Sequence, residues 1–401
     1  MIREEISRTP LRVFDDQVVH FLGGLSAELM KSPLVRQYPD LAAFAFYIRR
    51  ANLQKLQDRL FVTRDPEPGA RNAELASRIG RGLCFHVTPA NIPINFAFSW
   101  VFALLAGNAN IVRLPSKLFP QVDALVGVLN AHLRLPAFNR ELASRNVFVR
   151  YPRTDSETTA AYCAEADCRM IWGGDQTIAA IKALPAKPRC VDIAFPDRYS
   201  VAMINGAAIL AADDVQLVRL AEGFYNDTYL MDQNACSSPQ VILWENDSAA
   251  ARDRFWKAIE TLAAGKYVLQ DAVAVDKYTL FCEESISNPS VTSVTRVGNL
   301  LYRVELATLA TGLSPLTAHR GKGGFFLEHA LAAREDFFAV VDERFQTITQ
   351  FGIDAEMLRG QIINHHLRGI DRIVPIGQAM NIDAVWDGHD LVRTLSRVVF
   401  A

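Results

Sequence analysis

The sequence predicts an α/β protein whose parallel sheets are covered by helices on both faces. Two observations carry that prediction. From about Gly80, strand-like runs at 82–87, 110–114, 146–150 and 169–172 alternate with helical stretches, the rhythm of βαβ units. Half of the 401 residues are apolar, so the chain can bury a substantial core divided over two or three lobes.

Taken in order, residues 13–30 and 41–60 carry apolar side chains at three- and four-residue spacing and read as helices, separated by Pro33 and Pro39. Residues 63–72, with Pro66, Pro68 and Gly69, read as an exposed connection. Each strand of the alternating region is followed by its helix: 92–105, 120–133, 156–163, and a fourth opened by Gly173-Gly174-Asp175 and running to about Leu184. Residues 189–194 and 200–204 add two strand-like pieces. A second α/β lobe begins near residue 205, with an amphipathic helix over 213–230 capped by Asp213 or Asp214. A strand at 241–244, a helix at 248–264 and a last helix at 357–367 follow. The tail holds strand-like Arg372-Ile373-Val374 and ends in 391–400, which packs back on the first lobe or on a neighbouring subunit. The expected division is therefore 1–204, 205–367 and 368–401.

Bulk composition removes several function classes. The net charge is −2, without the basic excess of a nucleic-acid binder. Met1 to Ile6 has neither the apolar core nor the cleavage site of a signal peptide. The most apolar run, 92–106, is interrupted by Pro93, Asn95 and Ser99 and is shorter than the roughly 18–20 residues of a membrane span. A cytoplasmic protein without a membrane span is expected. Six cysteines in so long a chain do not form a disulfide framework, and none has the spacing of a zinc site. His365-His366 lacks clustered partner ligands and reads as a helix end, so no metal is expected.

Five short segments carry chemistry. In Gln233-Asn234-Ala235-Cys236-Ser237-Ser238-Pro239-Gln240 a cysteine stands among small and polar residues, a setting that packing does not require and a nucleophile does. In Thr88-Pro89-Ala90-Asn91-Ile92-Pro93, the Asn91 amide follows a strand, placed to donate to an oxyanion or to cap the next helix. Arg113-Leu114-Pro115-Ser116-Lys117 sets two cations and a hydroxyl after a strand, suiting a phosphate or simply an exposed charged turn. Trp172-Gly173-Gly174-Asp175 opens a helix, as a pyrophosphate site or a tight turn would. Arg320-Gly321-Lys322-Gly323-Gly324-Phe325-Phe326 is a basic glycine-rich loop, either a holder of substrate phosphates through Arg320 and Lys322 or an ordinary loop.

These motifs, in this order, together with Ala106-Gly107-Asn108-Ala109-Asn110, resemble the acyl-CoA reductases of the LuxC type, members of the aldehyde dehydrogenase superfamily. The resemblance covers roughly residues 70 to 400. It implies an aldehyde dehydrogenase-like α/β fold, with a Rossmann-type cofactor lobe and a second α/β catalytic lobe. It implies Cys236 as nucleophile, Asn91 in the oxyanion hole, and Thr88, Pro89, 113–117 and 172–175 along the cofactor cleft. NAD-preferring relatives carry a glutamate at the adenosine ribose where Lys117 stands here, so NADPH is the expected cofactor. Hydrolytic relatives carry Glu-Leu-Gly-Gly after the last cofactor-side strand. The matching segment is Val191-Asp192-Ile193-Ala194-Phe195, which makes Asp192 a weak activator of water or a structural acid.

The expected reaction is reduction of an acyl thioester, such as fatty acyl-CoA, to the aldehyde through an acyl group on Cys236, with coenzyme A leaving. A small-molecule acyl-CoA or an acyl carrier protein thioester would be the partner, and the enzyme would be a homo-oligomer. A hydrolytic aldehyde dehydrogenase and a catalytically silent scaffold are the competing readings, separated by product analysis and by the retained Cys236 and Asn91.

Overall fold

The computed structural model describes residues 6–61, 73–89, 92–138, 140–310 and 314–400. The chain divides into two compact units, Met1–Pro196 with Asp383–Ala401, and Asp197–Ile382.

The first unit opens with helices α1 (Asp16–Lys31), α2 (Leu34–Gln37), α3 (Pro39–Tyr47) and α4 (Arg50–Phe61). Asp15 caps α1 by accepting from Gln17 N, and Val18, Phe21, Leu22, Leu25 and Leu29 form its buried stripe. After α5 (Ala73–Ala76) and β1 (Arg78–Gly80) comes the alternating core. It runs β2 (Leu83–Val87), α6 (Asn95–Leu105), β3 (Ala109–Arg113), α7 (Pro120–Leu133), β4 (Asn146–Val149), α8 (Ser156–Glu165), β5 (Cys168–Trp172), α9 (Asp175–Lys182) and β6 (Val191–Phe195). These strands form a sheet in the order β4-β3-β2-β5-β6, with every pairing parallel. Chain order reverses between β2 and β5, and the carboxyl ends of strands at such a switch point are where a nucleotide is bound.

The two faces of this sheet differ in chemistry. Leu83, Phe85, Val87 and Ile111 pack with Tyr162, Cys163, Ile178 and Ile181 of α8 and α9. The alternate residues carry a buried polar seam. His86 bonds Ser99 Oγ at 2.8 Å through Nδ1 and Asn110 Oδ1 at 3.0 Å through Nε2. Asn110 Nδ2 donates to Asn146 Oδ1, which also accepts from Trp100 Nε1. Every polar group of a buried chain like this must be satisfied, so the seam sets the pairing of β2, β3 and β4 as firmly as apolar packing does.

The second unit contains β7 (Tyr199–Asn205), α10 (Gly206–Ala211), α11 (Asp214–Asp227), β8 (Pro239–Glu245), α12 (Ala249–Lys266) and α13 (Asp271–Ser287). It continues through β9 (Val291–Val297), β10 (Leu301–Leu306), β11 (Phe325–Ala330), α14 (Arg334–Phe338), β12 (Phe345–Phe351), α15 (Ala355–Asn364) and β13 (Arg372–Pro375). Its sheet runs β13-β12-β7-β8-β11-β10-β9, parallel except for β9 against β10. Val201, Met203, Val241, Leu243 and Leu327 face α14 and α15. Ala202, Ile204, Ile242, Trp244 and Phe326 face α11 and α12. Asp213 caps α11 in a capping box with Gln216.

The chain then returns to the first unit with β14 (Val385–Trp386), β15 (His389–Asp390), α16 (Leu391–Thr394) and β16 (Ser396–Val398), and β16 pairs antiparallel with β1. These pairings correct the expected division. Residues 199–205 belong to the second sheet because β7 lies between β8 and β12, and 372–375 belong there because β13 extends the same sheet. The boundaries are Pro196/Asp197 and Ile382/Asp383.

Burial pushes the His86 imidazole down to about 4. The native state therefore holds it neutral, while the unfolded chain takes up the proton near pH 6.5. This stabilisation is whole above about pH 6.5 and is lost as pH falls toward 4, a change of roughly 3 kcal/mol. Urea unfolding at pH 7 and pH 4.5 should show the loss, and His86→Gln should flatten the difference. An undiminished difference in that variant would place the acid sensitivity elsewhere.

Candidate active site

In the first unit, the residues expected to hold a nucleotide gather at the carboxyl ends of β2, β3 and β5. Thr88 follows β2, and its Oγ1 donates to Arg113 O at 2.7 Å, tying the ends of β2 and β3 together. The Arg113 guanidinium lies 4.5 Å from the centre of the Tyr151 ring. Pro115 is buried, whereas Ser116 and Lys117 are exposed, with Lys117 Nζ 5.1 Å above Phe119. Trp172 stacks on Phe195 at 3.7 Å and donates from Nε1 to Ser99 Oγ at 3.1 Å, joining the crevice to the His86 seam.

Gly174 caps α9, and a side chain there would meet nothing within 4 Å. Glycines ahead of a helix start leave room for a pyrophosphate to approach. Arg153, which the sequence reading missed, reaches Thr177 Oγ1 of α9 at 3.2 Å and adds a cation there. Pro89 lies at the mouth after Thr88, and Asp175 opens α9. Asn91 lies outside the described residues.

In the second unit, the cysteine turn lies at the amino edge of the sheet, just ahead of β8. Asp232 and Gln233 both adopt left-handed backbone, with φ of 51° and 58°. Such conformations cost on the order of 1 kcal/mol each and persist where surrounding bonds over-determine them. Here those bonds are visible. Gln233 is buried; its Oε1 accepts from Gly324 N at 2.9 Å and Phe325 N at 3.1 Å, and its Nε2 donates to Phe325 O and Pro239 O. Gln240 Oε1 accepts from Gly321 N at 2.9 Å. Ser200 Oγ donates to Cys236 O at 2.7 Å, and Ser238 Oγ to Asp227 O at 2.7 Å. The expectation that 320–326 is either a phosphate loop or an ordinary one misses this role: two glutamines bind its backbone to the cysteine turn, and Phe325 and Phe326 already belong to β11.

The Cys236 thiol faces a carboxylate. Its Sγ donates to Asp197 Oδ1 at 3.7 Å, and the same oxygen accepts from Arg320 Nη1 at 3.0 Å. Asp197 was missed in sequence because it lies in the short link from β6 to β7; the signal was its place just past a strand end, opposite Asp192 at the strand start. Arg320 is turned inward, toward Asp197, Thr317 O and Arg198 O. Lys322 pairs with Asp276 at 2.8 Å. Both cations expected to meet substrate phosphates are thus already engaged by protein groups.

Further residues complete the frame. Asp227 is buried, which pushes its carboxyl up to about 6, and it accepts from Gly377 N and Ala379 N. Gly223 and Gly377 touch there, and a side chain on either would strike the other's backbone at about 3 Å. Met380 Sδ then lies 3.7 Å from Ser237 Oγ. Lys277, fully buried and lowered by that burial to about 8, donates to Gly323 O at 2.6 Å and to Asn299 O. His319 and Glu284, bonded at 2.6 Å, anchor the approach to Arg320. Among the described residues no cluster of three metal-ligating side chains occurs.

Asp192 requires correction as a catalytic residue. It is second in β6, toward the amino end of that strand, opposite Arg169 in the register. Both its oxygens accept from Arg169, at 2.6 Å each. Arg169 is only 3% exposed, and a buried guanidinium needs its counter-charge. The carboxylate is committed to the sheet.

A model of the acyl-CoA reductase (LuxC) family matches residues 28–269. The chain belongs to that family. The matched LuxC span includes the crevice of the first unit and the Cys236 turn, and ends before Arg320. No curated protein matches the chain.

Solved structures place this LuxC family member in the aldehyde dehydrogenase fold. Aldehyde dehydrogenase 21 of Physcomitrella patens, in complex with succinate, is 12% identical with a TM-score of 0.64, over 96% of this chain and 85% of that one. A variant of 1-pyrroline-5-carboxylate dehydrogenase from Thermus thermophilus is 10% identical with a TM-score of 0.60, over 95% and 80%. A variant of proline utilization A from Bradyrhizobium japonicum is 15% identical with a TM-score of 0.60 over 95% of this chain, which spans 41% of its length. At these identities the likeness is one of fold: a Rossmann-type lobe and an α/β catalytic lobe.

Replacing Asp192 by Asn should cost about 2–4 kcal/mol in denaturant unfolding, because it strands the Arg169 charge. The folded fraction should turn over at close to the unaltered rate. A hundredfold fall in rate without a loss of stability would restore Asp192 to the chemistry.

Proposed function

We propose that this LuxC family chain reduces an acyl thioester, of the fatty acyl-CoA class, to the aldehyde with NADPH, through an acyl group carried on Cys236. The observation that carries the reading is the Cys236 thiol, held on a strained, fully bonded turn and directed at a carboxylate. A structural cysteine needs neither feature.

Cys236 Sγ attacks the thioester carbonyl, its proton passing to Asp197 and on to the departing coenzyme A thiolate, so the carbon–sulfur bond to coenzyme A breaks as the new one forms. A free thiol titrates near pH 8.5, so a neighbouring acceptor assists attack at neutral pH. Asn91 is assigned to the developing oxyanion with nearby backbone N–H groups. When bound, the nicotinamide supplies hydride. The carbon–sulfur bond to Cys236 then breaks, the aldehyde leaves, and the Cys236 thiolate takes up a proton from solvent.

Thr88, Pro89, Arg113, Ser116, Trp172, Gly173, Gly174 and Asp175 would hold the nucleotide. Lys117 is assigned to the 2′-phosphate: it is exposed just past β3, the second strand in chain order of the five-stranded sheet, where nucleotide folds read the ribose. The chain is assigned to the cytoplasm as a homo-oligomer.

Cys236→Ala should abolish both acylation by labelled acyl-CoA and NADPH oxidation, followed by mass spectrometry and absorbance. Reductase activity surviving in that variant would end the reading. Lys117→Glu should move preference toward NADH by about tenfold, since it exchanges attraction for repulsion at the 2′-phosphate. A cofactor ratio that stays where it was would release Lys117 from the assignment.

A further inference from the structure

A carboxylate beside an acylated cysteine is a hazard for a reductase. Placed to take a proton from water, it would promote cleavage of the acyl-enzyme to the free acid before reduction. Asp197 is such a carboxylate, with Oδ1 at 3.7 Å from Cys236 Sγ. Once Sγ carries an acyl group it has no proton to donate, and the Arg320 hydrogen bond to that same oxygen decides how well it can take one from water.

Arg320 bears on what Asp197 can then do. All three of its guanidinium nitrogens are engaged: Nε with Thr317 O at 3.3 Å, Nη2 with Arg198 O at 3.0 Å and Nη1 with Asp197 Oδ1 at 3.0 Å. Its Cζ also lies 5.5 Å from the centre of the Tyr199 ring. The planar fork grips the 197–198 turn by carboxylate and carbonyl together, a geometry that a lysine ammonium does not reproduce. The loop bearing Arg320 is itself fixed by Gln240 at Gly321, Gln233 at Gly324 and the His319–Glu284 bond. Such an ion pair, with its side chains 33% and 53% exposed, adds little to stability. So much fixing around a pair of small energetic worth points to orientation as its purpose.

We propose that Arg320 sets the partition of the Cys236 acyl-enzyme between aldehyde and acid, by keeping Oδ1, the Asp197 oxygen that faces Sγ, engaged in a guanidinium hydrogen bond when water reaches the acyl group. Asp197 is the catalytic residue and Arg320 its positioning residue. The inference rests on the acyl-cysteine reading above. In the suppressed reaction, water oxygen attacks the thioester carbonyl and one water proton passes to Asp197. The carbon–sulfur bond breaks, sulfur takes that proton, and the acid leaves; no oxidant or reductant takes part.

The test uses the purified full chain with labelled dodecanoyl-CoA and NADPH. It measures labelled acid and aldehyde together, with mass spectrometry of the Cys236 peptide. Arg320→Gln should raise the acid-to-aldehyde ratio about tenfold or more. Arg320→Lys should fall between the two, and adding Asp197→Asn to Arg320→Gln should return the ratio to its starting value. Equal loss of both products in Arg320→Gln, or a double variant that hydrolyses as fast as the single one, would overturn the inference while leaving the acyl-cysteine intact. A Cys236 peptide that never carries the acyl group would overturn the functional reading and this inference with it.

Discussion

Gln233 holds its side-chain amide in the closed interior of the second lobe, where both of its polar atoms must find partners or destabilise the fold by a few kcal/mol. It finds them on two different segments, the start of β8 and the start of β11. The residue therefore sets the height of the glycine loop relative to the cysteine turn, and with it the meeting of Arg320, Asp197 and Cys236. Its left-handed backbone follows from the same demand.

The first lobe is organised by a comparable requirement. The seam from Trp172 through Ser99, His86, Asn110 and Asn146 to Trp100 crosses β5, β2, β3 and β4. An apolar face would tolerate small shifts in register, whereas a hydrogen-bonded seam does not. The crevice at the strand ends inherits that precision. Trp172 is where the seam surfaces, and it opens the turn that leads into α9.

Much of this was legible in the amino-acid order. The alternation from Gly80 to Phe195 located β2 to β6 within a residue or two, because parallel strands buried on both faces read as short apolar runs. Of the two acids that could cap α11, Asp213 and Asp214, the structure uses Asp213. The interval from about 265 to 355 was not legible. β9 is an edge strand with mostly exposed residues, and β11 begins inside a run whose glycines read as a loop. The acid beside Cys236 was misplaced for a related reason. Asp192 and Asp197 lie five positions apart at opposite ends of one strand and its exit, and composition does not distinguish an acid that balances a buried arginine from one that faces a thiol. Only the register of β5 against β6 separates them.

The position of the site on its sheet has a consequence for how this protein can diversify. Asp197, Cys236 and Arg320 all precede the strands that carry them, on the amino edge of the parallel sheet. The turns that leave the opposite edge, at Asn205, Asn246, Leu331 and Gly352, carry none of them. Insertions and substitutions in those turns can alter the outer surface of the lobe without passing through the cysteine. Each change on the amino edge must be reconciled with two glutamines at once. Variation and chemistry are thus assigned to opposite ends of the same strands.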